Sequence, residues 1–198
     1  MNSAASLAAG LPVGRLSTRC LVLAAYALPA VAVWTLLGAG LTGLPLTGIA
    51  LILAVGYGCY YGLTELTGLR GLTTPGRRWQ VPQTMMIDAS PWRRVLVWGA
   101  ILGPGFVTRN PYAGFGLLPI ALAAMRLGGY GPALALAAGI GFAHGSARAA
   151  ALLRDIREPH PATGQLDLLL KAVYWRRFDG VMLFAIAATA AALAVHYF

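Results

Sequence analysis

Residues 20–64 read CLVLAAYALPAVAVWTLLGAGLTGLPLTGIALILAVGYGCYYGLT, 45 residues without one Asp, Glu, Lys or Arg. One membrane-crossing helix needs about 20 apolar residues, so this run is long enough for two. Glycines and a proline cluster at Gly38–Pro45, and that composition predicts the turn of a helical hairpin. The spans then fall at about 18–38 and 46–65.

The rest of the chain agrees with a lipid-embedded fold. Of 198 residues, 58% are hydrophobic and 11% charged, and the mean hydropathy is +0.69. Soluble domains carry about 25% charged residues, and this chain could not solvate its surface in water. The expected class is all-α, a polytopic transmembrane helix bundle. Net charge is +9, but the bases flank apolar runs, which is how topology is encoded, so no nucleic-acid partner is expected. Arg15 and Arg19 ahead of the first apolar run resemble a signal peptide. That run exceeds the roughly 7–15 residues of such a core and reads as an uncleaved span.

Residues 1–17 form an expected cytoplasmic tail, and 18–198 a single membrane domain. Residues 66–94 are polar and rich in arginine. Residues 95–125, VLVWGAILGPGFVTRNPYAGFGLLPIALAAM, form an apolar segment with an interruption. As one helix its 31 residues would rise about 46 Å, against a hydrocarbon core of about 30 Å. Pro104 and Pro111 lack a backbone donor, and Gly103, Gly105, Gly114 and Gly116 weaken helix. The segment is expected to be a broken span over about 95–126, with helical arms at 95–103 and 116–126. Further spans follow at about 132–153 and 180–196. Between them QLDLLLKAVYWRRF suits an amphipathic helix lying at the headgroups.

With the broken segment as one span there are five. Arg15 and Arg19 and the 66–94 and 154–178 loops then share a side and carry 12 of the 15 Lys/Arg. Two short spans instead would send the 154–178 bases across, against the positive-inside bias. The expectation is a cell-membrane protein with its N-terminus cytoplasmic.

Chemistry is sparse. Arg109 lies mid-segment, where an arginine costs roughly 2.5–3.5 kcal/mol on insertion scales. Thr108, Asn110 and Tyr112 surround it, and the unwound backbone adds free donors and acceptors. A polar substrate site, suited to an anion, is one reading; a turn at the outer interface with Arg109 reaching the headgroups is the other. His144 and Arg148 are four apart and share a helix face. They read as a relay or ligand pair, or as a snorkelling arginine beside a hydrogen-bonded histidine. Glu65 and Asp179, at span ends, read as interfacial. Cys20 and Cys59 flank the hairpin and read as small apolar residues or as a redox pair. Gly58/Gly62, Gly99/Gly103 and Gly141/Gly145 have GxxxG spacing and predict close helix contacts inside the protein. GRRWQVPQ at 76–83 reads as a solvated loop, or as a contact for anionic lipid or a partner. No metal motif and no cofactor fingerprint occurs.

WGAILGPGFVTRNPYAGFGLLPIALAAM followed by PALALAAGIGFAHGSARAAALL resembles the CcdA/DsbD-type cytochrome c biogenesis membrane domain over about residues 94–153. The resemblance implies a proline-broken span followed by a Gly-rich one, in a family that moves reducing equivalents across membranes. That family's cysteines sit in the broken spans; around Gly103–Pro111 this chain has none. The thiol relay therefore transfers to no residue here. The functional expectation is an accessory or structural subunit of a larger membrane complex, redox-linked through that resemblance, with a protein partner besides the bilayer. The alternatives are a small transporter with its site around Arg109 and a thiol-redox membrane protein; the reading leans away from an enzyme.

Overall fold

The computed structural model describes residues 11–12, 14–68, 89–105, 112–157 and 165–198, with the backbone alone at 157 and 165–170. Among these residues every regular element is helical. The helices are α1 (Leu16–Gly43), α2 (Thr47–Thr67), α3 (Pro91–Leu102), α4 (Gly114–Ala124), α5 (Tyr130–Arg157) and α6 (Gln165–Tyr197); a 3-10 turn, Met125–Gly128, extends α4. Four of them, α1, α2, α5 and α6, are long and apolar enough to cross a membrane. The protein is thus a multi-pass helical membrane protein by the length and composition of its helices. The expected tail up to residue 10 and the GRRWQVPQ stretch lie outside the described residues.

The hairpin is present, but its turn is shorter than expected. Helix α1 runs through Gly38 and Gly40 to Gly43, and α2 begins at Thr47. Glycine costs a helix its stability chiefly by exposing backbone to water, and an apolar solvent removes that competition. Thr42 also returns its hydroxyl to the Gly38 carbonyl at 2.7 Å. The helix stops just short of Pro45, where the ring disfavours helix in the preceding residue. At its far end α2 stops on Gly68 in the left-handed conformation, φ 69°, with its N–H bonded to the Thr64 carbonyl at 3.0 Å.

Two further elements differ from expectation. Arg93 and Arg94 do not sit in a loop: α3 starts at Pro91, with the Ser90 hydroxyl accepting from the Arg93 N–H at 3.4 Å. Nor is there a separate interfacial helix before the last span. Residues 165–197 form one helix, α6. The run of Lys and Arg at 171–177 is a change of solvent, not of backbone: nothing there breaks a helix, and Gly180 is kept for contact with α2.

The chain divides into two compact units. The first takes residues 1–36, 77–109 and 137–161, hence the first part of α1, all of α3 and most of α5. Its core joins Val22, Ala25, Tyr26, Val95, Ala149 and Leu152. Here α1 is held by glycines on both neighbours. A Cβ at Gly99 would collide with the Ala25 carbonyl, and one at Gly103 with the Tyr26 carbonyl. From α5, a Cβ at Gly145 would lie 2.6 Å from the Tyr26 oxygen, and one at Gly141 2.6 Å from the Ala30 oxygen. Pro29 inside α1 has no N–H to give the Ala25 carbonyl, and Gly99 packs at that carbonyl. The contacts of Gly99 with Ala25 and of Pro104 with Trp34 run α3 parallel to α1; those of Gly141 with Ala30 and Gly145 with Tyr26 run α5 antiparallel.

The second unit takes residues 37–76, 110–136 and 162–198, hence α2, α4 and α6. Its core joins Leu51, Ala54, Ala113, Leu117, Leu183 and Ala190. Glycines again carry the close approach. A Cβ at Gly58 would stand 2.7 Å from the Leu183 oxygen and 2.8 Å from the Ala187 Cβ, and one at Gly180 3.0 Å from the Gly62 oxygen. These pairs run α2 and α6 antiparallel. All three GxxxG pairs named from spacing are therefore used for packing within a unit, as dispersion-driven association in lipid requires.

Candidate functional site

A broken helix in lipid leaves carbonyls and amides that need partners, since each unsatisfied group there costs several kcal/mol. The structure shows how the end of α3 at residues 103–105, the first edge, and the start of α4 at residues 112–114, the second edge, each meet that need. On the first edge, Gly105 takes φ 81°, a left-handed turn that suits glycine. The Trp34 indole N–H, fully buried, donates to the Pro104 carbonyl at 3.1 Å. On the second edge, the Tyr57 hydroxyl donates to the Ala113 carbonyl at 2.7 Å. The Gly114 N–H, first of α4, donates to the Asp179 carboxylate at 2.9 Å.

The second edge holds more charge than a cap requires. Asp179 comes from α6 and Glu65 from α2, and the Ala113 amide is within reach of both carboxylates. Glu65 is buried, with a side chain 7% exposed, and pairs loosely with Arg176 at 3.8 Å, whose side chain is 54% exposed. Glycine at 114 is what admits the carboxylate, because a Cβ there would collide with Asp179 Oδ1. Tyr57 and Tyr61 pack against each other beside the site, with ring centroids 4.4 Å apart and planes tilted by 38°. Two acids from two helices thus converge on the positive end of a short helix, where carboxylates are stabilised by free amides and the helix dipole.

Of the residues expected to form the site, Thr108, Arg109 and Asn110 lie outside the described residues. Tyr112 is half-buried, just ahead of α4. His144 and Arg148 are half-buried on α5 in the first unit, interact electrostatically with one another, and Arg148 also interacts with the buried Tyr26 phenol. Glu65 and Asp179, expected at the span ends, are turned inward toward the start of α4. Their pairing with residues 113–114 spans 65 positions for Asp179, beyond any local motif. The available signal was an acid at the end of an otherwise uncharged span, twice. Trp34, Tyr57 and Gly114 carried no sequence signal of their role.

Cys20 and Cys59 are exposed free thiols. Among the described residues no group of three or more His, Cys, Asp or Glu is placed to hold a metal ion. Compared with protein-family models, curated proteins and solved structures, the chain matches none.

Proposed function

We propose that this chain is a small membrane carrier whose working part is the interrupted third apolar segment, with Glu65 and Asp179 as its ionisable groups. The five-span arrangement with a cytoplasmic N-terminus belongs to this reading. The observation that carries it is the convergence of two carboxylates on the first amides of α4. An Asn or Ser side chain would cap those amides without bringing charge into the membrane. Intramembrane acids that face the protein mark ion or proton pathways far more often than packing. Interrupted helices whose ends meet charged groups are the usual architecture of substrate and coupling-ion sites in secondary transporters. In this reading, taking up a proton at the Glu65/Asp179 pair weakens the hold on α4, and releasing it restores the hold. Proton binding is thereby linked to movement of α4. His144 and Arg148 with Tyr26 supply a polar face in the first unit.

The test is proteoliposome uptake of a panel of small charged and polar solutes under an imposed pH gradient. Gradient-driven uptake of at least one solute is expected, lost in Asp179→Asn and in Glu65→Gln while both variants remain folded. No uptake across the panel, with a stoichiometric partner retained in mild detergent, would overturn the proposal and favour the accessory-subunit reading.

A further inference from the structure

We propose that Arg148, with Tyr26 beside it, is a binding site for a small monocarboxylate inside the first unit. Its neighbours on α5 fix its position. A Cβ at Gly145 would lie 2.6 Å from the Tyr26 oxygen, and Ala149 joins Tyr26 and Val22 in the core. Arg148 stands between these two contacts, half-buried, within the membrane-crossing length of α5. The described group that attracts its guanidinium is the Tyr26 phenol, which belongs to the buried core. A phenol is a neutral group, so this contact occupies part of the fork of N–H donors and leaves the charge uncompensated. Of the acids whose side chains are described, Glu65 and Asp179 belong to the second unit. Asp155, on α5 itself, is seven residues on, about 10 Å along the axis.

An arginine held in a membrane span without a counter-charge is costly to the fold, and such residues mark ligand and ion paths. The groups around it define the ligand. Trp98 of α3 packs against the same core, and its indole N–H is buried with no partner. An indole only donates, and a buried donor left unpaired is destabilising. His144, one turn back on the face of Arg148, adds an imidazole and no negative charge. Three helices thus bring donors to one core, and none brings an anion. A planar carboxylate accepts two parallel N–H bonds from a guanidinium and keeps lone pairs for a phenol O–H. A single guanidinium balances a single negative charge. A dianion would leave one charge uncompensated at membrane depth, so the class is a monocarboxylate. Calling this anion the transported solute rests on the carrier reading; its binding to the first unit is measured without transport.

The experiment uses the full-length protein in detergent, labelled with the arginine reagent phenylglyoxal and read by peptide mass spectrometry. Propionate is expected to slow labelling of Arg148 and to leave the exposed Arg93 unchanged, while propylammonium protects neither. Binding of propionate is also followed by its NMR line broadening. Arg148→Lys keeps the charge but loses the fork, and Tyr26→Phe loses one hydrogen bond to a charged ligand; each is expected to weaken binding about tenfold. The labelling arm needs no variant and decides the matter if either variant fails to fold. Absence of protection by propionate, or unchanged binding in both folded variants, would overturn the proposal. So would protection of Arg148 by added phosphatidylglycerol and not by propionate, since a lipid phosphate would then fill the site. Flux in proteoliposomes separates the two readings. Uptake of a cation or neutral solute without protection at Arg148 strikes the carboxylate site alone, and protection without uptake of any solute strikes the carrier alone.

Discussion

Replacing Asp179 tests the anchoring of the start of α4 directly. The carboxylate accepts the Gly114 N–H at 2.9 Å and is within reach of the Ala113 amide. A hydrogen bond to a charged group contributes about 1.5–3 kcal/mol, and an acid near a helix N-terminus in a partly buried setting adds up to about 2 kcal/mol. These terms overlap, since both describe the same carboxylate and the same amides. Asp179→Asn keeps one carbonyl acceptor and loses the charge, for an expected cost of about 1 kcal/mol. Asp179→Ala removes the acceptor and leaves the amide without its partner, for about 2–3 kcal/mol. The expected order of stability is wild type, then Asn, then Ala. Reversible unfolding in mixed micelles measures the order, and amide exchange at Gly114 localises it, with exchange accelerating in the same order. Equal stabilities for all three proteins, or faster exchange elsewhere than at residues 113–114, would refute the idea that Asp179 anchors α4.

Gly56 and Gly58, two residues apart and so on different faces of α2, offer a matched comparison. Nothing lies within 4 Å of a Cβ at Gly56, whereas one at Gly58 meets the Leu183 oxygen at 2.7 Å. Gly56→Ala is expected to be neutral or to stabilise by up to about 1 kcal/mol; Gly58→Ala is expected to cost about 1–3 kcal/mol, both read from unfolding midpoints in micelles. Trp34→Phe keeps most of the buried ring but removes the donor to Pro104, with an expected loss of about 1–3 kcal/mol, read from the same unfolding curves.

Much of the membrane architecture was legible because lipid simplifies the rules. An uncharged run of 45 residues has few alternatives to a helical hairpin, and GxxxG spacing named three contacts that the structure uses. Errors arose where rules for water were carried into lipid. Glycines at 38 and 40 were read as a turn although α1 passes through them. A charged stretch at 171–177 was read as a separate element although α6 is continuous. The site was less legible for a different reason. Sequence position fixes how deep a residue lies but not which way it faces, so Glu65 and Asp179 could be assigned a level and not a partner. Whether a side chain turns to lipid or to α4 depends on packing between helices far apart in the chain.

The clasp around Tyr26 has an evolutionary corollary. Gly99, Gly103, Gly141 and Gly145 all rest on main-chain atoms of α1 between Ala25 and Val31. Such a joint reads the shape of the main chain, and the α1 side chains at the contact, Ala25, Ala27 and Ala30, are buried and small. Constraint therefore falls on both partners: glycine on the neighbours and small residues on α1. In a set of homologous chains, the signature of this joint would be four fixed glycines facing a strip held to small residues.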